Sequence, residues 1–132
     1  MNAFDSVVRV PAKTKEGFYR YWFRFLFPFH KLTEREMEIA ACFLKHRDIL
    51  SKVISDPDIL DSVLMSEETK AKIREECDIT IPHFQVVIGK LKKAKVIIDN
   101  KLNPRFVPKI KEGNDNFKLL LLFDFDNAES NL

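Results

Sequence analysis

Apolar residues recur at helical spacing along most of the chain, with short β-type runs near both ends and after residue 95. Ser6-Val7-Val8-Arg9-Val10 alternates until Pro11 stops it, which predicts an edge strand or an extended arm. Thr14 then offers a helix cap, weakened by Gly17 in its N3 place. Lys15 to Phe29, KEGFYRYWFRFLFPF, predicts a helix that Pro28 ends. Phe18, Trp22, Phe25, Leu26 and Phe29 share one helical face, and Tyr19, Phe23 and Phe27 form a second ridge beside it. Only Arg20 and Arg24 clearly claim water. A helix this apolar is covered on more than one side, either as a central core helix or by another chain.

Leu32-Thr33-Glu34-Arg35-Glu36-Met37 carries a complete start signal: Thr33 and Glu36 as a capping box, Leu32 and Met37 as a hydrophobic staple. Met37, Ala40, Ala41 and Leu44 continue the buried stripe, with Phe43 at its edge. Between Asp48 and Leu64 the pattern is helical but interrupted, as one broken helix or two. Asp56-Pro57 there reads as an N-cap and a Pro at N1, followed by Ile59, Leu60, Val63 and Leu64. Ser66 caps a further helix over Glu67–Cys77, whose narrow apolar side holds Ala71, Ile73 and Cys77 beside Arg74. Asp78-Ile79-Thr80 is a turn, and Thr80 caps the next helix, with core face Ile81, Phe84, Ile88 and Leu91. Val96-Ile97-Ile98 begins a strand, Asp99-Asn100 turns it, and the arm from Lys101 to Ile110 is made irregular by Pro104 and Pro108. After a loop at Glu112–Asn116, Phe117 to Asp126 alternates as a C-terminal strand, with Leu120 and Leu122 on its nominally wet face. The tail 127–132 is polar and expected to fray.

The 132 residues suit one domain. With 45% apolar, 32% charged and three glycines, low-complexity disorder is excluded for most of the chain. Net charge is only +2, but its distribution is uneven: residues 79–111 hold eight bases and one acid, whereas residues 32–78 and 112–132 are acidic. Cys42 and Cys77 stand in neither a metal spacing nor a CxxC, and read as buried free thiols in a reducing compartment. No signal-peptide pattern and no long apolar run is present, so the expectation is a protein with no membrane partner, placed in the cytoplasm.

From Leu32 to Lys111 the order of elements resembles a winged helix-turn-helix domain: capped helix, connecting helices, Ser66 helix, Thr80 helix, then a wing. The run KLKKAKVI, a turn and KLNP carry the likeness, with a glycine often found in the superfamily where this chain has Lys95. The LNPRFVP arm followed by an FxF strand also looks like small winged-helix proteins encoded by bacteriophages. The expected fold class is therefore mainly α with a small β wing, in three parts. These are an N-terminal arm with an aromatic helix (1–31), a winged-helix domain closing on a C-terminal strand (32–126), and the tail (127–132).

The resemblance implies duplex DNA as a partner, and the helical geometry says which residues would meet it. Opposite the Phe84-centred core face lie Pro82, Val86, Gly89 and Lys93, flanked by His83 and Lys90 on one side and by Gln85 and Lys92 on the other. His83, Gln85 and Val86 are candidates for base edges; Lys90, Lys92, Lys93, Lys101 and Arg105 suit phosphates, which position without specifying. The competing readings are a solvated, dipole-complementing helix end and a winged helix used for docking another protein. Docking would involve Phe18, Tyr19, Trp22, Phe23 and Phe27 of the aromatic helix, with Leu120 and Leu122, in self-association or in assembly of a phage virion. Enzymatic chemistry is not expected. His30, His46 and His83 lie near no Ser or Cys in any motif, no Gly-rich phosphate loop exists, and Asp124 with Asp126 is too sparse a metal set. No cofactor is expected.

Overall fold

Five polar residues start five helices by the same device, a side-chain oxygen accepting from backbone N–H groups of the first turn. The computed structural model, which describes residues 7–111, 113 and 115–125, places them at Thr14, Thr33, Asp56, Ser66 and Thr80. Among the described residues the helices are α1 (Lys15–Phe25), α2 (Phe27–His30), α3 (Glu34–Ser51), α4 (Pro57–Leu64), α5 (Glu67–Glu76) and α6 (Ile81–Lys93). The Thr33–Glu36 capping box forms in full, at 3.2 Å for Glu36 N–H to Thr33 Oγ1 and 3.0 Å for Thr33 N–H to Glu36 Oε1. The interrupted stretch 48–64 resolves into the end of α3 and a separate α4, because Asp56 and Pro57 start a new helix after Lys52-Val53.

A two-stranded antiparallel sheet completes the regular structure: β1 (Ile97–Ile98) pairs with β2 (Lys101–Leu102), Ile97 opposite Leu102. Asp99 and Asn100 form its turn, both at positive φ, a conformation that short polar side chains tolerate. α6 ends in paired reverse bonds, Lys95 N–H to Lys92 C=O at 3.1 Å and Val96 N–H to Leu91 C=O at 2.9 Å. Lys95 therefore sits at φ 62°, the left-handed geometry in which glycine is the usual choice. The chain is thus mainly helical with a small antiparallel sheet.

The core is continuous across α1, α3, α4, α5, α6 and the hairpin, centred on Phe23, Phe43, Phe84, Ile39, Leu64, Ile73, Leu91 and Val96. α1 thus shares its core with the segment after residue 31. Trp22 ties it to the return arm, its Nε1–H donating to the Phe106 carbonyl at 2.8 Å within the core. Asn103 fastens the hairpin, donating to the Lys95 carbonyl at 2.9 Å and accepting from the Arg105 N–H.

Several expectations need correction. The helix over residues 15–29 breaks at Leu26, and Pro28 lies in the first turn of α2, where its missing N–H is harmless. Its buried stripe is Tyr19, Trp22, Phe23 and Leu26, so neither predicted ridge is covered as a unit and Phe25, Phe27 and Phe29 face solvent. On α4, Leu60 and Leu64 are buried and Ile59 is exposed. On α5, Thr69 rather than Ala71 joins Ile73 inside, its hydroxyl satisfied by the Val63 carbonyl at 2.8 Å. On α6, Val87 is buried and Ile81, at the helix start, is 56% exposed. The C-terminal strand does not form among the described residues. Residues 117–125 run without strand pairing, and Leu119 to Phe123 are all exposed, so the alternation in the sequence separates no buried face from a wet one. The physical reason is the shortness of the edges on offer: β1 and β2 are two residues long, too short to pair with a strand of this length, and an unpaired strand leaves its backbone groups to water. Phe117 alone is held, against Phe18 and Trp22. No strand forms over Val7–Val10 either. The expectations for Ser6, Glu112, Asn114, Asp126 and the tail 127–132 lie outside the described residues.

Candidate nucleic-acid interface

The backbone that turns α5 into α6, Cys77 to Thr80, is short and firmly held. Asp78 takes φ 50°, with its N–H on the Glu75 carbonyl at 3.2 Å and that of Ile79 on the Arg74 carbonyl at 3.1 Å. Arg35 reaches over from α3 and donates to the carbonyls of Cys77 at 2.6 Å and Asp78 at 3.2 Å, neutralising the negative end of α5. Arg74 covers the Phe84 ring at 5.5 Å, joining α5 to the buried face of α6. These contacts fix the direction in which α6 presents its other side.

That other side is polar and open. His83, Gln85, Val86, Lys90, Lys92 and Lys93 are all exposed, as are Lys101 on β2 and Arg105 just beyond it. The structure brings the six α6 residues to one outward surface, with the hairpin following directly on the Lys-rich end of the helix. The helices before α6 hold part of their charge in pairs, Lys15–Asp48, Arg24–Glu34, Arg35–Glu38, Arg74–Glu67, and Lys45 with Glu16 and Glu76, which also meets His46, while Arg20 and Lys72 stand in none among the described residues. Among the described residues, the lysines of α6 and β2 take part in no such pair. Three lysines in the last turn complement the helix dipole.

The residues expected at a protein interface divide. Tyr19, Trp22 and Phe23 are buried in this chain's own core and offer no surface, because α3 and the return arm already cover them. Phe18 is half-buried against Phe117. Phe27, Leu120 and Leu122 are exposed, together with Phe25 and Phe29. His30, expected near no partner chemistry, is a core residue held in one tautomer: Nε2–H donates to the Phe23 carbonyl at 2.7 Å while Nδ1 accepts from the Leu32 N–H at 2.9 Å. Burial lowers its pKa from the ordinary value, against the opposing pull of the Phe23 carbonyl.

Two further features escape sequence reasoning. A cleft of about 340 Å³ separates Tyr19, Asp48 and Asp61 from Lys101, Pro104 and Pro108 of the hairpin and arm. The Tyr19 hydroxyl beside it is pushed up to about 12, first by burial and then by the Asp48 charge, so it stays protonated. On the opposite side of α3, Cys42, His46 and Glu76 converge with their donor atoms within 4.8 Å of one another, next to Cys77. Cys42 donates to Glu76 Oε2 at 3.3 Å, and His46 Nε2 lies 3.0 Å from Glu76 Oε1. Hydrogen bonding to Cys77, with burial, pushes the Cys42 thiol up, and the same interaction draws Cys77 down. The i, i+4 spacing of Cys42 and His46 was the one legible signal for this cluster.

No helix among the described residues is long and apolar enough to cross a membrane. Comparison with protein-family models, curated proteins and solved structures finds no match to this chain.

Proposed function

We propose that the protein is a non-enzymatic DNA-binding winged-helix protein of weak sequence specificity, with α6 as recognition helix and the β1–β2 hairpin as a short wing. The observation that carries this reading is the exposed basic surface of α6 and β2, whose lysines have no ion pair among the described residues. A surface of this kind takes a polyanion by releasing its counterions, largely without regard to base sequence. Gln85 and Val86 give a modest means of base reading, an amide for adenine and a methyl contact for thymine. The likeness to phage-encoded winged helices makes a phage regulator the first biological setting.

A second reading rests on a different observation. Phe25, Phe27 and Phe29 are 51%, 46% and 42% exposed at one end of the aromatic segment, and the stretch Leu119–Phe123 is exposed as well. An assembly protein, such as a virion component, would dock through these side chains and use the helical domain as a rigid block.

One experiment separates the two: fluorescence anisotropy with generic duplex DNA over a salt series, with light scattering on the same sample. The DNA reading expects log affinity to fall linearly with log salt, and expects Lys90→Ala, Lys92→Ala and Lys93→Ala together to flatten that slope by up to about 2.7. Absence of binding at low salt, alongside a discrete oligomer, would retire the DNA reading in favour of assembly.

A further inference from the structure

Cys42 and His46 on α3 meet Glu76 at the end of α5, their donor atoms within 4.8 Å of one another, and Cys77 lines the adjoining cleft. Cys42 and His46 stand one turn apart on α3, so both side chains leave the same face of that helix. Glu76 is the last residue of α5 and Cys77 its C-cap, at the negative end of the helix dipole, where a cation is favoured. The fold therefore gathers two thiols, an imidazole and a carboxylate from distant parts of the chain. From the convergence of Cys42, His46 and Glu76, with the Cys77 thiol beside them as the fourth donor, we infer a binding site for a single zinc ion that clamps α3 to α5.

The chemistry selects the metal. Two sulfurs and an imidazole suit Zn(II) and are poor ligands for Mg(II) or Ca(II), which take oxygen. Structural zinc holds four such donors tetrahedrally at about 2.0–2.3 Å, so neighbouring donors stand about 3.3–3.8 Å apart. The His46 Nε2 to Glu76 Oε1 distance of 3.0 Å is already near that scale, the donor atoms of Cys42, His46 and Glu76 all lie within 4.8 Å of one another, and Cys77 at the same cleft would turn in as the fourth donor. On binding, each thiol releases its proton to solvent and its sulfur lone pair goes to the metal, while His46 binds neutral through Nε2. Glu76 binds through Oε1. Its Oε2 keeps the Lys45 ammonium, now 3.2 Å away, as an outer partner that orients the carboxylate. Entry is open: Cys42, Lys45, Glu76 and Cys77 line a cleft of about 50 Å³, and the Glu76 side chain is 38% exposed.

The consequence is mechanical and independent of what α6 binds. Zinc at this position would fix the end of α5, and with it the turn through Asp78 that launches α6.

The test uses the full chain, reduced, stripped with a chelator and titrated with Co(II), then with Zn(II). The expected result is one Co(II) per chain, with thiolate-to-metal charge transfer in the near ultraviolet and tetrahedral visible bands, both bleached by one equivalent of Zn(II). Glu76→Gln, at an exposed position that keeps the fold, should weaken uptake at least about tenfold. Cys42→Ser should remove much of the charge-transfer band. A folded, reduced wild type that shows no thiolate band overturns the site. So does a band that Glu76→Gln and Cys42→Ser both leave unchanged.

Discussion

α1 and α6 are both amphipathic helices with a conspicuous surface, yet the fold uses them in opposite ways. The aromatic face of α1 is closed off by α3 and the return arm, so Tyr19, Trp22 and Phe23 belong to the core. Among the described residues nothing is laid over the polar face of α6, and its lysines are exposed. An abundance of large apolar side chains is thus a statement about packing before it is one about partners. A charged face without counter-charges is not explained by packing, beyond what its lysines add at the negative end of the helix dipole. The exposed phenylalanines of the α1–α2 corner are what remains of the aromatic excess once the core is filled.

The largest effect that would break this comparison is in α1 itself. Phe23 is fully buried, stacked with Phe106 and edge-on to His30, so Phe23→Ala should lower unfolding free energy by about 3–5 kcal/mol. Phe27 is exposed and makes an edge contact with His30, so Phe27→Ala should cost no more than about 1 kcal/mol. Urea denaturation followed by Trp22 fluorescence measures both. Equal losses for the two variants would mean that the corner is packed against something, as the assembly reading requires.

A smaller effect comes from His30, which joins the end of α2 to the carbonyl of Phe23. Burial holds its pKa below the ordinary value of 6.5, so between the two values the unfolded chain binds a proton that the folded chain does not. Stability is then complete above about pH 6.5 and is lost as pH falls through that value towards the folded pKa. Protonated Nδ1 would point its hydrogen at the Leu32 N–H, which is the structural origin of the loss. The melting temperature should drop as pH falls below about 6.5, and His30→Asn should flatten the dependence while lowering stability throughout. The triple lysine variant of α6 should keep the wild-type dependence. If it loses that dependence instead, α6 is coupled to the core more closely than its open face implies.

What the sequence made legible follows a physical divide between local and distant causes. Thr33 with Glu36, Asp56 with Pro57, Ser66, Thr80 and the Asp99-Asn100 turn all act over a few neighbouring residues, and each sits where its local chemistry says. The buried stripe of α1 was not legible because both of its ridges are apolar, and only the placement of α3 and Phe106 decides between them. The last strand failed for a related reason: alternation specifies a strand's faces but cannot supply the neighbouring edge it must pair with. Among the candidate interface residues, the exposure of the α6 set was readable from one helical period once Phe84 was taken as the centre of the buried face. The Cys42–His46–Glu76 cluster was hidden by the long stretch of chain between its halves, although Cys42 and His46 alone share one face of a helix.

The smallest expected effect tests the open face directly. Gly89 lies on the outward ridge of α6, and a methyl group added there would meet no other atom within 4 Å. Glycine in the middle of a helix lowers stability by about 0.5–1 kcal/mol relative to alanine, because it frees the unfolded backbone without adding contacts. Gly89→Ala should therefore raise unfolding free energy by about that amount. If α6 lies in a groove, the same methyl group projects towards the nucleic acid between Val86 and Lys93, and affinity should fall while stability rises. Opposite signs in one variant cannot come from damage to the fold. A gain in stability with unchanged DNA affinity would move the contact surface away from the helix and onto the lysines at its end.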